Sequence, residues 1–70
     1  MKRKPVDSEM ALSVGYDPQE QILEIEFRPN GEVWQYLEVP EELFERMMDN
    51  SIGQFFNQEI RGNYDERQVE

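Results

Sequence analysis

The sequence predicts an α+β domain: a three-stranded antiparallel β-meander followed by two short α-helices packed on one sheet face (β-β-β-α-α). Three observations carry that prediction. Through the first half of the chain, apolar and polar residues alternate at the two-residue period of half-buried strands. Turn chemistry separates the alternating runs, at Asp17-Pro18 and again at Asn30-Gly31. From Pro40 onward the apolar spacing changes to three and four residues, which is the period of amphipathic helices.

The elements follow in order. In "MALSVGY", Met10, Leu12, Val14 and Tyr16 alternate with Ala11, Ser13 and Gly15, which predicts a strand with one buried face. In "LEIEF", Leu23, Ile25 and Phe27 alternate with Glu24 and Glu26, the clearest strand of the chain. Asn30-Gly31 is the strongest short hairpin signal, because both residues tolerate the positive φ of a type I′ turn. Taken as a two-residue loop, it pairs Phe27 with Trp34 and Ile25 with Tyr36. Those residues then share one apolar face, while Glu24, Glu26, Arg28, Val33, Gln35 and Leu37 share the other. Three strands with one apolar face need a cover.

The C-terminal half supplies it. Pro40 suits a first helical turn, and Glu41 and Glu42 complement the positive end of the helix dipole. Leu43, Phe44, Met47 and Met48 form one apolar stripe. After Asp49-Asn50, the sequence "SIGQ" predicts a capping box in which the Ser51 hydroxyl accepts the Gln54 amide. Ile52, Phe55, Phe56 and Ile60 form the second stripe, and Gly62 is a natural stop. Residues 1–5 read as a flexible basic tail, 6–64 as the domain and 65–70 as a fraying tail, with Tyr64 able to dock back.

Composition narrows the function classes. Seventy residues make one domain with a small core. The absence of cysteine removes disulfides and thiolate metal sites, and the absence of histidine removes the commonest general base and metal ligand. No run of about 18 apolar residues is present, so a cytoplasmic protein with no membrane partner is expected. Sixteen acidic residues face seven basic ones, for a net charge of −9, and three of the seven are Lys2, Arg3 and Lys4. Such a domain repels phosphate at long range. The carboxylates, Glu24 with Glu26 and Glu41, Glu42 with Glu45, follow no calcium-loop pattern and have no nucleophile beside them. They read as solvated surface. No catalytic residue, metal or cofactor is expected.

Two stretches carry binding candidates. Trp34 and Tyr36 are either core wall or a platform on which bases stack. The register puts both rings on the covered face, and beyond the tail only Arg28, Arg46, Arg61 and Arg67 are basic. Core wall is therefore expected, with stacking the weaker candidate role. In "SIGQFFNQEIRGNY", Ser51, Gly53 and a helix N-terminus can hold an anion, Asn57 and Arg61 lie at i, i+4 on one side, and Tyr64 follows. Ser51, Gly53, Asn57, Arg61 and Tyr64 are the best polar cluster in the chain.

From Ser8 to Tyr64 the sequence resembles the KTSC domain family, named for its occurrence at the C-terminus of some lysyl-tRNA synthetases and found also as small free-standing bacterial proteins. The resemblance runs through "VGYD" at 14–17, "LEIEF" at 23–27, Asn30-Gly31, "WQY" at 34–36 and "VP" at 39–40. It continues through "SIG" at 51–53, "FFN" at 55–57 and "IRGNY" at 60–64. It implies the fold, and it implies the RNA or ribonucleoprotein binding suggested for the family through the synthetase. Two departures stand out: Trp34 takes the first place of the usual Tyr-x-Tyr, and Ile52 a place often basic in relatives. The expected function is a non-catalytic module binding a macromolecular partner. One version binds RNA through residues 51–64 and the basic tail. The alternative is an acidic protein–protein adaptor or nucleic-acid-mimicking decoy, meeting a basic partner through Glu24, Glu26 and the helix acids.

Overall fold

The computed structural model describes every residue from Met1 to Glu70. The α+β class, the antiparallel sheet and the two helices are as expected, but the sheet has five strands rather than three. In chain order these are β1 (Lys4–Pro5), β2 (Ala11–Asp17), β3 (Ile22–Phe27), β4 (Glu32–Tyr36) and β5 (Glu66–Gln68), and each pairs antiparallel with the next. The three predicted strands are β2 to β4. The two extra strands come from segments that carry no alternating apolar signal. Their side chains are exposed, and backbone pairing to β2 and β4 holds them in place.

The β3–β4 hairpin corrects the predicted register by two residues. Ile25 lies opposite Trp34, Leu23 opposite Tyr36 and Phe27 opposite Glu32. The loop is four residues long, closed by the Gly31 amide donating to the Phe27 carbonyl at 2.8 Å. Gly31 alone has positive φ, at 74°, whereas a type I′ turn needs two such residues. A slip of two keeps every side chain on its predicted face, since the side-chain period of a strand is two.

A bulge between Ala11 and Ser13 breaks the alternation predicted for β2. Ala11 faces the core before it, and Val14 and Tyr16 face the core after it, so Leu12 falls out of the inward set. The turn at Asp17-Pro18 forms as its chemistry predicts, with the Asp17 carboxylate accepting the Gln19 and Glu20 amides.

The helices α1 (Glu41–Met48) and α2 (Ile52–Phe55) cover one sheet face, and α2 runs directly into a π-helical turn at Phe56–Ile60. The wider turn is closed by the Arg61 amide donating to the Phe56 carbonyl at 2.9 Å. It lets Phe55, Phe56 and Ile60 all point inward, onto Leu23, Ile25 and Tyr36. Phe56 meets the Phe27 and Tyr36 rings edge-on, with centroids 5.6 and 5.1 Å apart. At the other end of the layer, Tyr16 stacks on Phe44 at 4.7 Å and donates its hydroxyl hydrogen to the Val39 carbonyl.

Candidate functional site

Along β4, Glu32, Trp34 and Tyr36 alternate toward the helix layer. Phe56 covers only the last of them. Tyr36 is 3% exposed, whereas Trp34 is half-buried, because the helical layer ends beyond the π turn. The result is a cleft of about 400 Å³ between β4, the start of β5 and the π turn. Its floor is apolar, made by Met10, Phe27, Trp34, Tyr36 and Phe56, and its rim is Glu32, Asn57, Arg61 and Glu66.

Each rim group has a structural reason for its place. The Trp34 Nε1–H donates to Glu32 Oε1 at 3.2 Å, two residues back on the same strand face. Arg61 leaves the π turn in extended conformation and donates to Asn57 Oδ1 at 3.3 Å, the i, i+4 contact expected from the sequence. Strand β5 brings Glu66 opposite Tyr36. Burial raises the Tyr36 hydroxyl above the usual tyrosine range, the Glu66 carboxylate raises it further, and Arg61 opposes both. Glu66 and Arg61 therefore both act on this hydroxyl, yet they form no ion pair with each other. The chain's one ion pair is Arg3–Glu24.

The polar cluster expected at 51–64 divides. Asn57 and Arg61 join Trp34 and Tyr36 in the cleft. Ser51 and Gly53 line a second groove, with Asp7 and Glu9 on its rim and Asn57 at the boundary between the two. Tyr64 packs half-buried against the core and lines neither. The predicted capping box is absent: the Ser51 hydroxyl makes no cap bond, and its backbone carbonyl takes the Phe55 amide at 2.8 Å. A Cβ on Gly53 would lie 3.5 Å from Met10, an ordinary contact, so close packing does not demand glycine there.

The two aromatic candidates also part ways. Tyr36 is core wall, while Trp34 packs on the core with one side and faces the cleft with the other. Sequence reasoning missed Glu32 and Glu66. Glu32 was legible, since it precedes Trp34 by two on one strand face. Glu66 was not, because nothing in "DERQVE" signals a strand.

The charges sort by sign. Every arginine is held by a neighbour: Arg3 by Ser13 and Glu24, Arg28 by the Ser8 carbonyl, Arg46 over the Phe55 ring at 5.4 Å, Arg61 by Asn57 and Arg67 by Gln35. Of the sixteen acids, only Glu24 is ion-paired. Glu24 corrects the expectation of a solvated carboxylate. It is 5% exposed on the face away from the helices, where Arg3 and Gln35 donate to it. Burial pushes its carboxyl up, but the Gln35 and Arg3 hydrogen bonds and the Arg3 charge outweigh that and hold it below the usual range.

No group of carboxylates is placed to hold a metal ion, and no helix is long and apolar enough to cross a membrane.

Comparison with known proteins places this arrangement in a family. The KTSC domain model matches residues 7–64. An uncharacterized protein of Stutzerimonas stutzeri is 42% identical over 59 residues, covering 83% of this chain and 82% of that one. A protein of Tsukamurella paurometabola is 42% identical over 55 residues, covering 77% and 81%. The crystal structure of a KTSC domain protein from Yersinia pestis superposes with a TM-score of 0.92 at 43% identity, over 99% of this chain and 97% of that one.

Proposed function

The chain belongs to the KTSC domain family, and on that premise we propose that it is a non-catalytic binding module whose partner is a basic protein surface. The observation that supports this is the asymmetry of its charges. The molecule forms one ion pair, Arg3–Glu24, which leaves fifteen of the sixteen acids without an ion-pair partner against four arginines, each held by an uncharged group, and two lysines. The surface field is negative, and it attracts cations and repels a phosphate backbone. Glu24 drops out of the contact set, because it is buried and Arg3 and Gln35 occupy both its oxygens, and Glu26 gives one oxygen to Ser13. The α1 acids Glu41, Glu42 and Glu45 and the cleft acids Glu32 and Glu66 remain.

One observation favours the RNA binding suggested for the family. Trp34 and Arg61, an aromatic ring and a guanidinium, share a cleft. Against it, a phosphate there would meet Glu66 and Glu32, and Arg61 would have to leave Asn57. Trp34, the chain's single tryptophan, separates the two readings. Its emission is followed while mixed-sequence single-stranded RNA or a lysine-rich protein is added at low and then at high salt. Binding of the basic protein that weakens with salt, with RNA inert, is the expected result. RNA binding that is lost in Arg61→Ala overturns it.

A further inference from the structure

We propose that the Trp34 cleft receives a single arginine side chain of the basic partner, its guanidinium lying on the indole and its N–H groups reaching the Glu32 and Glu66 carboxylates. This rests on the reading of the domain as a binder of basic surfaces and names the contact through which it binds.

Four features of the cleft support this occupant. First, the partly buried indole lines the cleft and is held in place by its own bond to Glu32, so an aromatic ring stands beside a fixed carboxylate. A cation within about 6 Å of an indole centroid is attracted by the ring quadrupole, and more strongly with a carboxylate alongside. Second, the rim carries two carboxylates against one guanidinium, and that guanidinium is already bonded to Asn57. The charge left unanswered is negative. Third, the floor beyond the ring is apolar, formed by Met10, Phe27 and Phe56, which suits the methylene stem of a long cationic side chain. Fourth, about 400 Å³ admits one such side chain with its flanking backbone outside, not a folded segment. A flat guanidinium both stacks on a ring and offers several N–H groups in a rigid fork, where an ammonium can do only one at a time, so arginine is preferred to lysine. The molecule already holds one guanidinium against a ring in this way, Arg46 over Phe55. Arg61 on the rim repels any entering cation, and the two carboxylates outnumber it by one, so one arginine is accepted and a tight pair gains nothing.

The test uses the full chain and blocked five-residue peptides of glycine and serine carrying one central arginine, lysine or citrulline. The readouts are the Trp34 indole N–H resonance and Trp34 emission, at low salt and millimolar peptide. A lysine-rich protein serves as a separate probe of the broader reading. The arginine peptide is expected to move the indole resonance and the lysine peptide to bind severalfold more weakly. Citrulline, equal in shape but uncharged, should be silent. Glu32→Gln and Glu66→Gln change exposed side chains, with circular dichroism to check that the fold is kept, and each should weaken the arginine peptide by about threefold to tenfold. If the lysine-rich protein binds but the indole ignores the arginine peptide, or citrulline matches arginine, or both variants bind unchanged, this inference falls while the broader reading stands. If the lysine-rich protein does not bind at low salt, both fall.

Discussion

The two faces of the sheet are built by different means. The face toward the helices is closed by apolar contact. Leu23, Ile25, Val14 and Tyr36 meet Val39, Met47, Phe55, Phe56 and Ile60, and burial drives the packing, with the Tyr16 hydroxyl bond to the Val39 carbonyl at one end. The opposite face is closed by a line of side-chain hydrogen bonds that crosses the strands. Arg3 donates to Ser13 and Glu24, Ser13 to Glu26, Gln35 to Glu24 and Arg67 to Gln35. That line ties residue 3 and residue 67 to β2, β3 and β4, and it adds to the backbone pairing that joins the chain ends to the sheet. It also needs Gly15, where a Cβ would sit 2.7 Å from the Lys2 carbonyl oxygen. The comparison teaches that a small acidic domain can use its few arginines within its own structure while most of its acids stay without an ion-pair partner.

The largest expected effect lies on the apolar face. Phe56→Ala removes a ring that is 2% exposed and touches both Phe27 and Tyr36. The loss should be about 3–5 kcal/mol, much of the total stability of a small domain. Circular dichroism should show no cooperative melt, and a normal melt would mean that the helix layer contributes little.

Arg3→Ala tests the polar face. It strips the buried Glu24 carboxylate of its charge partner, but removing this side chain from the N-terminal strap, residues 1–5 lying along β2, also lets water in. The cost should therefore be nearer the 1–3 kcal/mol or so of an unsatisfied polar group than the roughly 3–5 kcal/mol of a fully buried orphaned charge. Urea titration of Arg3→Ala, Glu24→Gln and the double variant should show non-additivity of about 0.5 kcal/mol or more. Strict additivity would dissolve the proposed line of bonds.

The faces also differ in pH response. The Glu24 carboxyl is depressed in the fold, so its contribution is complete above the usual value of 4.5 and is lost as pH falls through the lower folded value. Tyr36 and Tyr16 are raised by burial, so their contribution is complete below the usual 10.0 and is lost as pH rises through the folded values. Stability measured across both limbs should fall at each end, and Arg3→Ala should flatten only the acid limb. A matching change in the alkaline limb would show that the strap acts on the core as well.

How much of this was legible follows the same division. Leu23, Ile25, Phe27, Trp34 and Tyr36 announced the inner face because burial imposes a period on neighbouring residues. The outer face imposes none. Arg3, Ser13, Glu24, Gln35 and Arg67 are each ordinary surface residues in sequence, and their meaning exists only once the strands are paired. The candidate site was half legible for the same reason: Trp34, Asn57 and Arg61 could be singled out, but their meeting depends on the π turn, and Glu66 depends on β5. Gly15→Ala probes this hidden layer directly. It should displace the strap at a cost of about 1 kcal/mol, bounded by that of Arg3→Ala, and speed hydrogen exchange at the β2 amides facing β1. Unchanged exchange there would show that the strap accommodates a methyl group.

The smallest expected effect concerns the one local motif the sequence promised and the fold does not use. A capping serine at the start of α2 contributes about 1 kcal/mol when its hydroxyl is engaged, and alanine forfeits it. Here the Ser51 hydroxyl has no cap partner and the residue is exposed. The helix start is held instead by the Ser51 backbone carbonyl, which alanine retains, and by Phe55 packing in the core. Ser51→Ala should therefore shift the urea midpoint by less than about 0.5 kcal/mol, the range of a neutral surface substitution. A full loss near 1 kcal/mol would mean that the hydroxyl caps α2 in solution. The second groove, which Ser51 lines with Asp7 and Glu9, would then hold a hydroxyl already engaged as an acceptor, and the contrast between a core-held helix and a bond-held sheet face would lose its sharpest local instance.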